Sequence, residues 1–267
     1  MTGAHTFGGA ILPRMFSKTP SCLICLFAAA VLAGHLLAAQ QPPAEPPPSN
    51  PLAAAPQDLT GYWVSVVTED WRWRMVTPAK GDFISIPLSD EGRRVAFQWD
   101  PRSEGSCKAY GAAGLMHMPT RLNISWQGDD VLKVESDAGQ QTRLLQFAPK
   151  SAPGTRSLQG FSVAEWEPLG VASAGRGGVP PPRALKVVTT NLLEGWLRKN
   201  GIPYSDQTRL LEYWDRVSFP NGDVWLTVSQ YVTDPKYLTG DYTTSMHFKR
   251  EPDGSKWKPA PCVEGKG

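Results

Sequence analysis

From Leu59 onward the chain alternates apolar and polar residues in short runs separated by turn residues. This period of two belongs to half-buried β-strands and not to helices. Runs at 61–67 (GYWVSVV), 71–76 (WRWRMV), 121–127, 131–137, 141–147, 184–191, 208–218, 223–232 and 242–251 predict about nine strands. GDD, AGQ and FPNGD sit between consecutive runs, and such Gly/Asp/Asn clusters mark hairpin turns. Ser89-Asp90-Glu91 opens an amphipathic stretch through Trp99, a short helix with Ser89 as its N-cap and acids in its first turn.

Residues 149–183 hold Pro/Gly-rich stretches around FSVAEWE and read as a long loop or flap. No strand–helix–strand rhythm occurs and no Gly-rich loop follows a strand, which disfavours a Rossmann or P-loop enzyme. Consecutive strands with short turns must hide their edges, and closing into a barrel does so. The expected fold is mainly β: an antiparallel up-and-down β-barrel with one or two short helices and a long Pro/Gly-rich loop. A two-sheet sandwich is the alternative.

Composition divides the chain. Residues 1–39 carry Arg14 and Lys18, no acid, and the apolar run CLICLFAAAVLAGHLLAA, which ends on Ala38-Ala39. A basic start, an apolar middle and a small-residue exit form a secretory signal. Residues 40–57 are a Pro/Ala-rich linker, and 58–267 are a single barrel domain. The expected location is periplasmic or secreted, with no stable membrane insertion after signal cleavage. Overall the chain has 27 Lys+Arg against 25 Asp+Glu, and two of those bases lie in the signal, so the body is balanced. Such balance gives no general grip on nucleic acid.

Two cysteines, Cys107 and Cys262, follow the signal, and in an oxidising compartment they pair. His117 and His247 are the only histidines of the body, and the body has no CxxC, HExxH or His-x-His spacing, so no metal site and no cofactor are expected.

Leu59-Thr60-Gly61-Tyr62-Trp63, just before the first strand's alternation, resembles the Gly-x-Trp opening of the lipocalin (calycin) barrels. The resemblance implies that Gly61 permits the entry bend. It also implies that Trp63 plugs the closed end against a basic stem from a late strand, Lys249 or Arg250. Asp241-Tyr242 is similar to the family's Thr-Asp-Tyr element, with Gly240 in the place of Thr. The chain as a whole also resembles uncharacterised secreted proteins of Gram-negative bacteria.

If strands close a barrel, alternate side chains line one cavity. Glu212, Trp214 and Arg216 form one such set, and Trp225 with Thr227, Ser229 and Tyr231 another. Either set reads equally as an outer face with cross-strand ion pairs. In Trp71-Arg72-Trp73-Arg74 a strand places both Trp together and both Arg together, the Arg pair able to clamp a carboxylate or phosphate. Segment 107–121 is neither good helix nor good strand, and it is expected to cap a barrel mouth and hold Tyr110 and His117 over a cavity.

The expected function is binding of a small apolar or amphipathic molecule in a Trp-rich cavity by Trp71, Arg72, Trp73, Arg74, Tyr110, Trp214, Arg216 and Trp225. The alternatives are a barrel enzyme (isomerase, lyase or hydrolase) and an envelope assembly or interaction protein. The enzyme would use His117, Glu212 or His247 as its base.

Overall fold

The computed structural model describes residues 50–149, 151, 154–168 and 183–265. The chain divides into two units, Met1–Pro46 and Pro47–Gly267, and everything described lies in the second. The signal at 1–39, the linker up to residue 49 and the Pro/Gly-rich stretch 169–182 therefore lie outside the described residues.

Nine strands close a barrel: β1 (Gly61–Ser65), β2 (Arg121–Trp126), β3 (Val131–Ser136), β5 (Thr142–Phe147), β6 (Phe161–Pro168), β7 (Arg183–Thr190), β10 (Arg209–Ser218), β11 (Val224–Thr233) and β12 (Tyr242–Glu251). Two small pairs complete the β content. β4 (Ala138–Gly139) runs beside β13 (Ala260–Pro261), and β8 (Gly195–Arg198) forms a hairpin with β9 (Ile202–Tyr204). The helices are α1 (Trp71–Arg74), α2 (Asp90–Gln98), α3 (Pro101–Glu104) and α4 (Ala112–Leu115), with a 3-10 turn over Cys107–Tyr110.

Four expectations are corrected. The barrel is mixed, because β5 and β6 run parallel. A parallel neighbour requires a long return connection, and the stretch between Phe147 and Phe161 supplies it. Its end, FSVAEWE, is a full strand that pairs with β7 from Phe161 to Pro168, not part of a flap. Conversely, 71–76 is no strand: β1 is hydrogen-bonded to β12 on one side and β2 on the other, so the closed sheet has no edge to extend. The 71–74 backbone is satisfied locally instead, with the Trp73 and Arg74 amides donating to the Asp70 carbonyl at 2.9 Å. Four short helices are present where one or two were expected; α2 starts at the expected Ser89 cap, whose Oγ accepts from the Gly92 amide at 3.1 Å.

The barrel is filled by its own side chains. Toward one end lies a continuous apolar core that includes Trp63, Leu122, Leu132, Leu145, Trp166, Trp214, Leu226 and Phe248. The features that the Gly-x-Trp resemblance implied for this end are present. Gly61 has φ +110, a conformation L side chains rarely adopt, and Trp63 is fully buried. The Arg250 guanidinium lies 5.7 Å from the Trp63 ring. The last part of the expected linker packs here too: the Pro51 carbonyl accepts from Trp166 Nε1 at 3.1 Å, and the Gln57 Oε1 accepts from the Arg216 amide at 2.8 Å.

Beyond the apolar core lies a polar belt across five adjacent strands. Arg143 on β5 donates to both carboxylate oxygens of Glu212 on β10, at 3.2 and 2.6 Å, and to Thr189 Oγ1 on β7 at 3.2 Å. Gln230 on β11 donates to Glu212 at 2.8 Å, and Ser162 on β6 bonds Thr189 at 2.8 Å. All five residues are buried. A buried ion pair survives only when such partners offset the loss of water.

Candidate functional site

With the barrel interior occupied by side chains, the space that bears on function lies at its mouth. There α1, the 106–120 segment, the β8–β9 hairpin and the start of β12 come together. They enclose a cavity of about 170 Å³, lined in part by Asp70, Trp73, Arg74, His117, Arg198 and Tyr242. A second, more open groove of about 400 Å³ adjoins it, lined by Trp99, Tyr110, Trp196 and Val263 among others; Met118 and Lys199 border both.

The helical turn at 71–74 decides which of its side chains enter. In place of the alternation a strand would impose, Arg74 points inward and is 1% exposed, while Trp71 is 55% exposed. Arg72 turns outward to Asp82, 2.7 Å away. Trp73 lies between two guanidiniums, Arg72 at 5.3 Å and Arg198 at 4.7 Å from its ring. Arg74 donates to the carbonyls of Val66 and Met116 at 3.2 and 3.3 Å. Arg198, 8% exposed at the end of β8, donates to the Ile84 carbonyl at 2.8 Å. The Lys199 ammonium donates to the Arg74 carbonyl. Burial lowers the Arg74 and Lys199 pKa values, opposed at Arg74 by Asp70 and Glu69.

His117 follows α4 and stacks on Tyr242, ring centroids 6.2 Å apart. Part of the residue reaches the surface, but its Nε2 is enclosed and has no hydrogen-bond partner among the described residues. Burial, then the charges of Arg74 and Arg198, push its pKa down to about 3. The imidazole is therefore neutral at physiological pH. The Trp73 Nε1 and Arg74 Nε hydrogens are likewise buried without acceptors.

The groove is aromatic. Trp196 on β8 and Trp99 after α2 are almost fully buried, with Met118 in the same cluster and Tyr110 packed against it. The Lys108 ammonium sits 4.9 Å from the Trp196 ring. The expected Cys107–Cys262 disulfide is present, and it brings the C-terminal strand alongside. The Val263 carbonyl accepts from the Ser106 amide at 2.7 Å, so the tail forms one wall of the groove.

Comparison with known proteins finds no match to a family model, a curated protein or a solved structure.

The sequence candidates fall in several places. Trp73, Arg74 and His117 border the cavity and Tyr110 the groove. Glu212 and Trp214 are sealed inside the barrel, and Arg216 shares their strand face near its end. Trp225 stands on the opposite, outer face, where it packs on Phe219 and on His247, and His247 pairs with Glu69 at 2.8 Å. The three candidate bases therefore occupy three separate environments. Sequence reading missed Arg143, whose signal is a cation in phase with Leu145 and Phe147 on an alternating strand. It also missed Trp99, Trp196, Arg198 and Lys199, which lie outside the alternating strand runs.

Proposed function

We propose that the protein binds a small apolar or amphipathic molecule at the mouth of its barrel and not within the barrel. The observation that carries this reading is the aromatic groove of Trp99, Tyr110, Trp196 and Met118 directly beside a smaller polar cavity. A concave apolar surface with a few convergent polar groups is the ordinary form of a small-molecule site, and the groove falls in the usual size range.

The test is a titration with decanol followed by tryptophan fluorescence. Trp196→Ala is expected to weaken binding about tenfold or more, while Trp225→Ala, on the outer face, leaves it unchanged. Saturable binding that ignores Trp196, or no binding at all, overturns the reading.

Among the enzymatic alternatives only His117 borders the cavity, and a pKa of about 3 is far below what general-base work near neutrality favours. This supports the binding reading over the catalytic one. The disulfide supports export to an oxidising compartment, with residues 1–39 acting as the signal. The periplasmic product is expected to begin near Gln40 and to weigh two hydrogens less than its reduced form, which intact mass measures.

A further inference from the structure

We infer that the inner cavity is an oxyanion site, which receives the acidic head of an amphipathic molecule whose apolar body lies in the groove. This deepens the reading above and rests on it.

Three cations meet at this cavity: Arg74, Arg198 and Lys199. Each is held by main-chain carbonyls, those of Val66, Met116, Ile84 and Arg74 itself. Among the described residues, none of the three has a carboxylate within ion-pair distance. The contrast with the ion-paired cations of the molecule is direct. The other fully buried cation, Arg143, is matched by both oxygens of Glu212, and Arg121, Lys186 and Arg72 all pair with acids. Buried charge is costly unless compensated, and carbonyl dipoles compensate it only in part. Among the described residues Asp70 is the one acid lining the cavity, and Glu69 beside it also acts on Arg74, so three positive charges still outnumber the two negatives. His117 adds none, because it is held neutral.

Two donors lie buried behind the wall, Arg74 Nε and Trp73 Nε1, and among the described residues neither has an acceptor. An oxyanion is the group that accepts from several donors at once. A cavity of about 170 Å³ admits a carboxylate or phosphate with its first carbons but not an extended chain. The chain must therefore leave past Met118 and Lys199, the two residues shared with the aromatic groove. Arg72, although a neighbour in sequence, takes no part, since its guanidinium is committed to Asp82 on the outside.

The experiment has two arms. In the first, the melting temperature of the full chain is measured with acetate, phosphate or chloride at matched ionic strength. Acetate or phosphate is expected to raise it above chloride, and Lys199→Gln, the least buried of the three cations, is expected to remove most of that rise. An equal response to all three salts overturns the oxyanion site. In the second arm, decanoate, decyl phosphate and decanol are compared by tryptophan fluorescence. Both acids are expected to bind at least about tenfold more tightly than decanol. Whichever acid leads identifies the head as carboxylate or phosphate. Decanol binding as well as the acids overturns this inference and leaves the groove reading intact. Binding of acetate or phosphate without binding of any decyl compound overturns the groove reading, and with it the amphipathic occupant inferred here.

Discussion

At the scale of single residues, burial sets the chemistry at the barrel mouth. His117 carries a pKa of about 3 in the folded protein, against an ordinary 6.5. The unfolded chain therefore binds a proton at a higher pH than the folded one does. Stability from this group is complete above about pH 6.5 and declines as pH falls toward 3, by at most about 1.4 kcal/mol per unit. His117→Gln is expected to flatten that acid limb by about one proton in urea-denaturation curves taken between pH 7 and 4. An unchanged slope sinks the assignment of a buried, neutral His117. The sequence led to the expectation that this histidine lies in a segment capping the mouth, because 107–121 is neither good helix nor good strand. Its charge state was not legible, because Arg74 and Arg198 approach it from elements far away in sequence. The same limit hid the partner of Glu212: Arg143 lies three strands away around the barrel.

At the scale of elements, period-two alternation located eight of the nine barrel strands to within a residue or two, since each buries one face and exposes the other. It failed twice, for opposite reasons. WRWRM alternates well, yet no strand edge was free to pair with it. FSVAEWE pairs fully but is flanked by Pro/Gly-rich sequence that reads as loop. The β8–β9 hairpin, which brings Trp196, Arg198 and Lys199 to the site, turns at Asn200-Gly201. Gly201 has φ +78, and a Cβ there would lie 2.1 Å from the Trp99 ring. Gly201→Ala is expected to cost more than about 1 kcal/mol and to displace Trp99, since backbone and space both oppose it. The readouts are the denaturation midpoint and the tryptophan emission maximum. A variant with wild-type midpoint and emission contradicts this packing.

At the scale of the whole molecule, the Cys107–Cys262 bond spans 155 residues and ties the tail to the groove wall. Cross-linking so long a loop restricts the unfolded chain, a contribution of up to about 4–5 kcal/mol in the chain-entropy account. Paired Cys107→Ser and Cys262→Ser changes are expected to lower the urea midpoint. They are also expected to weaken decanol binding, because Val263 lines the groove. Loss of stability with unaltered binding separates the staple from the site.

The order of hydrophobic and polar residues by itself pointed to a mainly β chain with a barrel as the leading architecture, located eight of the nine barrel strands and offered Cys107 and Cys262 as a pair, while the Gly-x-Trp motif pointed to Trp63 beside a late-strand cation. Each of these follows from local periodicity, from the number of available partners or from a short motif. Only the tertiary structure decided that β5 and β6 run parallel, that the barrel is filled by an ion pair and tryptophans, and that three cations gather at its mouth. Those features depend on which distant segments become neighbours. Barrel closure sets that, by forcing every edge to find a partner and every unpaired segment to fold over the open end.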